Sequence, residues 1–347
     1  MKLFGTIAVH VAGEAILRKP GFLDKAKKFF GGTPDLRTGK IKASIESAAI
    51  VDAIRDALRS IGVTNAVALI VDNITLFHDR DGRPDDLGDM FLAFHEQSSA
   101  LGGGFDMLRL TVEHEEAGLH LVMEVQAKSE HTPDEPAVRV IISGRIGALE
   151  PRTGETADAY RARIEPLTKD RTTLEVSTIQ FEGFVARVRD AIQKAMPEAR
   201  AEVLAAEARV EKPAKDGRER DPATQRPDAR YYDPYDHYYP SPMGSIMSMM
   251  MWSSIFSMAM MPNMVVVNHY NQPMGSVDDP GIAEADPDHD MDSGDHGGDH
   301  DGGDGGDVGG DVGGDGYDAG DMGGDLGGGD FGEIGRASCR ERVYHPV

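Results

Sequence analysis

The chain contains one cysteine, Cys339, among its 347 residues, and one tryptophan. A single thiol cannot form an intramolecular disulfide or a thiolate zinc site, so small disulfide-stapled domains and zinc fingers are excluded. The compartment stays open, because a chain without cysteine pairs suits either redox environment.

Even Cys339 belongs to an unusual stretch. The eleven residues EIGRASCRERV, Glu333 to Val343, break from the Gly/Asp-rich sequence before them. They resemble the in-frame translation of one strand of a common sequencing adapter. We interpret residues 333–347 as a sequencing-adapter artefact and assign them no fold or function, as for an expression scar.

Positive charge is missing from a long part of the sequence. Between Tyr231 and Gly335 there is no Lys or Arg, whereas the same stretch carries most of the net charge of −23. The acidity therefore belongs to the C-terminal part, and residues 1–230 are close to neutral. Without a basic patch to neutralise phosphates, we expect no nucleic-acid partner.

The N-terminus also lacks the continuous apolar run of a secretory signal. Ile7, Val9 and Val11 alternate with other residues, and charged residues follow at Glu14 and Arg18. Alternation is typical of a strand, whereas a signal peptide needs about 7 to 15 consecutive apolar residues. We expect a domain located in the cytoplasm.

Periodicity predicts an α+β domain over residues 1–210. Apolar residues at helical spacing predict helices over 41–61, over 87–100, around Arg161 and over 181–196, and an Ala-rich helix is predicted for AEVLAAEAR after Pro197. A buried strand is predicted over 64–78 and another over 174–181. The fold class is α+β, with a largely antiparallel sheet and about four helices.

The clearest strands form an antiparallel meander with one polar face. Leu108, Leu110 and Val112 alternate with polar residues, and the alternation resumes after the turn EEAG and again over 137–149. A four-residue loop predicts Glu113 opposite His120 and Arg109 opposite Glu124, both pairs of complementary charge. We expect the domain to bind a partner through this face.

No catalytic motif stands out in the domain. His114 and His120 flank the hairpin turn, where a solvated, charged tip is favoured over an ion site. Nucleophile elbows and phosphate loops are missing too. An enzyme with an unrecognised site in 1–210 stays open, since triads assemble from distant positions.

Beyond the domain the composition changes twice. Residues 211–241 form a polar and then Tyr-rich linker, and residues 242–268 form a segment with no charge and many methionines, the Met-rich segment. Residues 243–261 have the length of a membrane helix, about 30 Å at 1.5 Å per residue. The predicted membrane or partner contacts are Trp252, Phe256, Ile246, Ile255, Met249 and Met260.

The Met-rich segment has three interpretations. Arginines lie only before it, so a membrane span would keep the domain in the cytoplasm and place the tail outside. A flexible methionine surface also suits a protein partner or self-association in a soluble cytoplasmic protein. In the third interpretation the segment is collapsed and packs on the domain. All three alternatives remain open.

Residues 269–332 are rich in Gly and Asp and have little apolar surface, so a disordered acidic tail is predicted. Weak divalent-ion binding could involve His296, His300, Asp295 and Asp299, although solubilising charge is the simpler interpretation. No cofactor is expected.

These patterns favour a non-catalytic tethering or scaffolding protein that associates with a membrane through the Met-rich segment. The alternative is a soluble divalent-ion-binding or oligomerising protein with a buffering tail. An enzyme is the third hypothesis.

Overall fold

The structure is a computed structural model, and it describes residues 1–11, 39–79, 104–132, 134–152, 154–212, 226–227, 229, 231–239, 250, 264–268, 270–279 and 282. These residues belong to one compact unit, Met1–Asp290. The predicted helix over 87–100 and the residues interpreted as an adapter artefact lie outside the described residues. Of the tail predicted over 269–332, residues 270–279 and 282 are described, and Pro273–Ser276 form a strand of the sheet, so the prediction of a disordered tail was wrong for this part. The rest of the predicted tail lies outside the described residues.

The described residues form an α+β fold, as predicted. The strands are β1 (Lys2–His10), β2 (Asn65–Val71), β3 (Ile74–His78), β4 (Met107–Glu116), β5 (Leu119–Lys128), β6 (Val138–Ile146), β7 (Arg200–Glu211), β8 (Val265–Val267) and β9 (Pro273–Ser276). The helices are α1 (Gly39–Ser60), α2 (Ala157–Thr168), α3 (Arg171–Ala195) and α4 (Pro234–Tyr238), with a 3-10 turn at Gly147–Leu149.

The nine strands form one mixed sheet in the order β3-β2-β4-β5-β6-β1-β7-β8-β9. Neighbouring strands are antiparallel except β7 and β8, which pair in parallel. The predicted meander is confirmed as β4-β5-β6. The first strand, β1, lies between β6 and β7 and joins the meander to the C-terminal strands.

Helices α1 and α3 cover one face of the sheet and pack against each other. Their buried stripes include Ile54 and Leu58 of α1 and Phe181 and Phe184 of α3. The predicted helix over 41–61 is confirmed, and Gly62 follows it with a φ of 89°, the left-handed conformation that ends a helix. This face holds the hydrophobic core.

Two local predictions were wrong for a common reason. Residues 174–181, predicted as a strand, form the first half of α3, where Leu174, Ser177 and Phe181 are buried at helical spacing. The predicted Ala-rich helix over 201–209 is strand β7, which pairs with β1 along nearly its whole length. Tertiary packing outweighed intrinsic propensity in both places.

The predicted strand over 64–78 is two strands, β2 and β3, joined at Asp72. Asp72 has a φ of 53°, and its Oδ1 accepts hydrogen bonds from the backbone N–H groups of Asp106 and Met107, each at 2.9 Å. An aspartate tolerates this left-handed conformation because its short side chain bonds nearby backbone. The chain therefore turns back here.

The register predicted for the β4-β5 hairpin was wrong by two residues. The turn has two residues, Ala117 and Gly118, with φ values of 53° and 79°, as a tight type I′ hairpin requires. Glu115 lies opposite His120 as a result, and Thr111 lies opposite Glu124. The predicted partners still meet diagonally: His120 Nε2 is 3.4 Å from Glu113 Oε2, and Arg109 Nη1 is 3.9 Å from Glu124 Oε1.

The described part of the chain contains no helix with both the length and the apolarity needed to cross a membrane. Of the Met-rich segment, residue 250 and residues 264–268 are described, and Val265–Val267 form β8. Residues 243–249 and 251–261 lie outside the described residues.

Candidate functional site: the polar face of the sheet

The sheet face opposite α1 and α3 is lined by alternate side chains of β4, β5 and β6, and we call it the polar face. Its charged and amide residues are Arg109, Glu113, His120, Glu124, Gln126, Arg139 and Arg145. Glu124 is fully buried, and Arg109 and Arg145 are nearly so. Burying so many polar groups is costly unless each finds a partner.

The chain itself supplies these partners. Residues 231–239, which we call the tyrosine segment, lie on the polar face although the sequence predicts a linker there. Tyr232, Asp233 and Tyr235 are buried. The segment is fixed locally because Asp233 caps α4, its side chain accepting a hydrogen bond of 3.0 Å from Tyr235 N–H, and Pro234 occupies the first helical position.

The first contact between the tyrosine segment and the sheet is ionic. Arg145 Nη2 lies 2.5 Å from Asp236 Oδ1 and 3.2 Å from Asp233 Oδ2, and its guanidinium lies 4.3 Å from the ring centre of Tyr235. Burial by itself lowers the pKa of Arg145, but the two carboxylates outweigh burial and raise it. Arg145 is therefore a fixed cation that holds the segment down.

A second contact is a hydrogen-bonded group around Glu113. His120 Nδ1 is 2.8 Å from the Tyr235 hydroxyl, Asn65 donates to Glu113 at 2.5 Å, and the Tyr239 hydroxyl also donates to Glu113. Burial raises the pKa of Glu113, whereas hydrogen bonds from His120, Tyr239 and Asn65 together lower it below its usual value. Glu113 is thus held as a carboxylate.

The third contact surrounds Glu124. Its carboxylate accepts hydrogen bonds from Gln126 at 2.7 Å and from the Tyr232 hydroxyl at 2.9 Å. Beside it, the Thr111 hydroxyl donates a hydrogen bond of 3.0 Å to the Tyr238 hydroxyl oxygen, and burial raises the pKa of Tyr238 to about 12. Because burial raises the pKa of Tyr232 as well, both phenols stay protonated, and Tyr232 acts as a hydrogen-bond donor to Glu124.

Lys2 joins the residues on either side of the Met-rich segment. Its Nζ lies 2.8 Å from Asp236 Oδ2, before that segment, and 3.2 Å from Asn271 Oδ1, after it. These two oxygens are consequently no more than 6.0 Å apart. Lys2 Nζ also lies 2.7 Å from Glu211 Oε2 at the end of β7. Both flanks of the Met-rich segment are therefore attached to the same part of the sheet.

The structure describes none of the predicted ion ligands and none of the predicted membrane or partner contacts. The predicted ion ligands His296, His300, Asp295 and Asp299 lie outside the described residues, and so do Trp252, Phe256, Ile246, Ile255, Met249 and Met260. Within the described ranges, no group of three or more His, Cys, Asp or Glu residues could hold a metal ion. His114 stacks on Phe184, on the core face, whereas His120 bonds Tyr235 on the polar face, so these two do not converge.

Sequence reasoning missed the tyrosine segment as part of the site. A signal was present: in DPYDHYY, an aspartate followed by proline is a typical helix start. Tyrosines with an apolar ring and a polar tip then suit a half-polar surface.

No protein-family model matches the sequence, and comparisons with curated proteins and with solved structures found no match. Any functional inference therefore depends on the residues themselves.

Proposed function

We propose that this chain is a non-catalytic tethering protein whose α+β domain is brought to a membrane surface by the Met-rich segment. The observation that carries the proposal is the attachment of both flanks of that segment to Lys2. In this proposal the uncharged stretch between the two attached flanks makes the contact with the membrane. Trp252, Phe256 and Ile255 give the Met-rich segment the residue types that enter the membrane interface.

The same attachment favours association with one leaflet over a full crossing. A helix through a bilayer core of about 30 Å would place residues 243 and 261 on opposite sides of the membrane. Yet Tyr239 and Met264, a few residues outside these positions, both contact the sheet or continue into it. We therefore infer a peripheral attachment, with the domain and the acidic tail on the same side.

The polar face supports a binding role over catalysis. Its phenols are protonated and its carboxylates are engaged by Arg145, Tyr232 and other donors. Such groups hold a surface together and do not provide an activated nucleophile. In this proposal the domain is the cargo or docking platform and the Met-rich segment is the attachment.

Vesicle flotation tests the proposal. The full chain should float with neutral phosphatidylcholine vesicles and be released by alkaline carbonate, as peripheral proteins are. Binding to anionic vesicles should be weaker, since the net charge of −23 is repelled by anionic lipid.

Two variants locate the attachment. Replacing Trp252, Ile255 and Phe256 by serine should abolish flotation. The matched control, Ile179→Ser with Leu204→Ser, removes exposed apolar side chains outside the segment and should float as the parent does. Failure of the parent to float would overturn the proposal, and resistance to carbonate would overturn its peripheral form.

A further inference from the structure

The two faces of the sheet are covered by different kinds of side chain. The core face is covered mainly by aliphatic and phenyl groups of α1 and α3. On the polar face the covering rings are tyrosines, with Tyr232 1% and Tyr235 5% exposed, and Tyr235 lies against the buried guanidinium of Arg145. Buried tyrosine and arginine side chains are typical of the centre of an interface between separately folded partners. The tyrosine segment therefore resembles a bound ligand more than a layer of the core.

The described hydrogen bonds between the tyrosine segment and the sheet join side chains. The tyrosine hydroxyl groups bond Thr111, Glu113, His120 and Glu124. Backbone groups of the segment bond within it: Tyr235 N–H donates to the Asp233 side chain, and Tyr239 N–H donates to the Tyr235 carbonyl. The backbone groups of β4, β5 and β6 pair in the ladders of the sheet. Separation of the two surfaces thus breaks side-chain contacts and leaves these ladders intact.

The charges of the two surfaces are complementary. The tyrosine segment presents Asp233 and Asp236. The sheet presents Arg145 and Lys2, whose nitrogens lie between 2.5 and 3.2 Å from the aspartate oxygens. Complementary charges of this kind fix the register of an interface and favour the correct partner. The charged groups become solvated when the segment leaves, so neither surface then holds a buried charge without its partner.

The sequence connects the tyrosine segment to the rest of the fold through long stretches. Residues 213–225 lie between β7 and the approach to the segment, and residues 240–263 separate the segment from β8. A chain of the length of residues 213–225 can span up to about 45 Å, which is enough to reach a neighbouring molecule. We propose that the polar face also binds the tyrosine segment of a second copy of this chain, with the segment of the same chain as its competitor.

Reciprocal exchange of the tyrosine segment forms a dimer in which each polar face has the same contacts as in the monomer. Intramolecular docking is favoured by the effective concentration of a tethered segment, which is about 1 mM. The parent should therefore be monomeric at micromolar concentration. A segment docked about 99% of the time against this effective concentration corresponds to a Kd of about 10 µM between separate molecules. Detection of the exchange thus requires one free face and one free segment.

Two full-chain variants supply the free face and the free segment. Tyr232→Ser with Tyr235→Ser removes two buried rings from the segment and leaves the face intact, whereas Arg145→Met disables the face and leaves the segment intact. In sedimentation velocity each variant alone should be a monomer, and an equimolar mixture should form a dimer with a Kd of about 10 µM or lower. A mixture that stays monomeric at about 100 µM overturns the proposal. No lipid is present, so the result is independent of the proposed membrane attachment.

A third variant is the matched control for this mixture. It carries Arg145→Met together with the two serines, so it differs from the Arg145→Met variant only in its tyrosine segment. Mixed with the Tyr232→Ser, Tyr235→Ser variant, it should stay monomeric. If it forms the same dimer, association occurs at another surface and the proposal is wrong.

Hydrogen exchange of the parent tests the opening of the tyrosine segment without any substitution, and it decides if the variants fail to fold. The amides of Tyr235, His237 and Tyr239 are bonded within the segment, and a helix of five residues is not stable in isolation. They should exchange at least about tenfold faster than the amides of β5, with little dependence on low urea concentrations, because local opening exposes little surface. Exchange of both sets at one rate with one urea dependence would show that the segment leaves only on global unfolding, which contradicts the proposal.

Discussion

Arg145 and Asp236 form the ion pair that links the sheet to the tyrosine segment, with Nη2 and Oδ1 2.5 Å apart. The same guanidinium bonds Asp233, and both Arg145 and Asp233 have side chains only 5% exposed. In the sequence, Asp233 follows Arg145 by 88 residues and Asp236 follows it by 91 residues. A buried contact of this kind fixes the tyrosine segment against the sheet. Its loss should therefore destabilise the whole segment.

Arg145→Met should therefore release the tyrosine segment. The substitution leaves Asp233 buried without its cation, which costs about 3–5 kcal/mol. We expect a lower free energy of unfolding in urea and faster hydrogen exchange of the backbone amides of residues 232–239.

Arg171→Met serves as the control for that variant. Arg171 pairs with Glu175 one turn along α3, and both side chains are about half exposed, so its loss should change stability by under about 1 kcal/mol. If Arg145→Met leaves the exchange of residues 232–239 unchanged, the ion pair does not hold the segment.

Tyr232 should be coupled to Glu124. Tyr232→Phe removes one donor from a fully buried carboxylate and should cost about 1–3 kcal/mol. A double-mutant cycle with Glu124→Gln, followed by urea unfolding, isolates their interaction. The coupling free energy should lie in the range of about 0.5–3 kcal/mol, and additive effects of the two substitutions would show that the bond contributes nothing.

The regular strands of the fold could be predicted because their faces differ. In β4, β5 and β6 one face meets the core, so apolar residues recur every second position and the strands are visible in the sequence. Strand β7 was missed since its alanines and glutamates favour a helix, while its conformation is decided by pairing with β1 nearly 200 residues earlier. Pairing over such a distance leaves no local signal.

The site was only partly predictable for a similar reason. A polar outer face with Arg109, Glu113, His120 and Glu124 follows from alternation, although the turn at Ala117 and Gly118 shifted the register. That the tyrosine segment covers this face could not be predicted from the sequence. Its composition is typical of a polar linker, whereas its position is determined by buried contacts to Arg145, Glu113 and Glu124.

Stability should depend on pH through Glu113. The folded state lowers the pKa of this carboxyl below 4.5, so its contribution is fully present above that pH and is lost as pH falls through the folded pKa. Urea unfolding of the parent and of Glu113→Gln between about pH 7 and pH 3 measures it. The stability difference between the two proteins should be largest near neutral pH and shrink in acid. A difference that is constant over this range would contradict the depressed pKa.

Two glycines should respond in opposite directions to alanine. At Gly144 in β6, an added Cβ would lie 2.6 Å from Leu121 Cδ2, in the core, and crowding of this kind costs about 1–3 kcal/mol. At Gly183 in α3, an added Cβ meets no atom within 4 Å, so alanine should stabilise the helix by up to about 1 kcal/mol. Thermal and urea unfolding of the two variants show whether each substitution raises or lowers the free energy of unfolding.

The crowding explanation for Gly144 has its own test. Leu121→Val shortens the side chain that an alanine at 144 would strike, at the cost of some core volume. Combined with Gly144→Ala, it should give a protein more stable than the sum of the two single effects predicts, because the added methyl occupies the space that the valine leaves. If the two effects simply add, the loss at position 144 comes from the backbone and not from contact with Leu121.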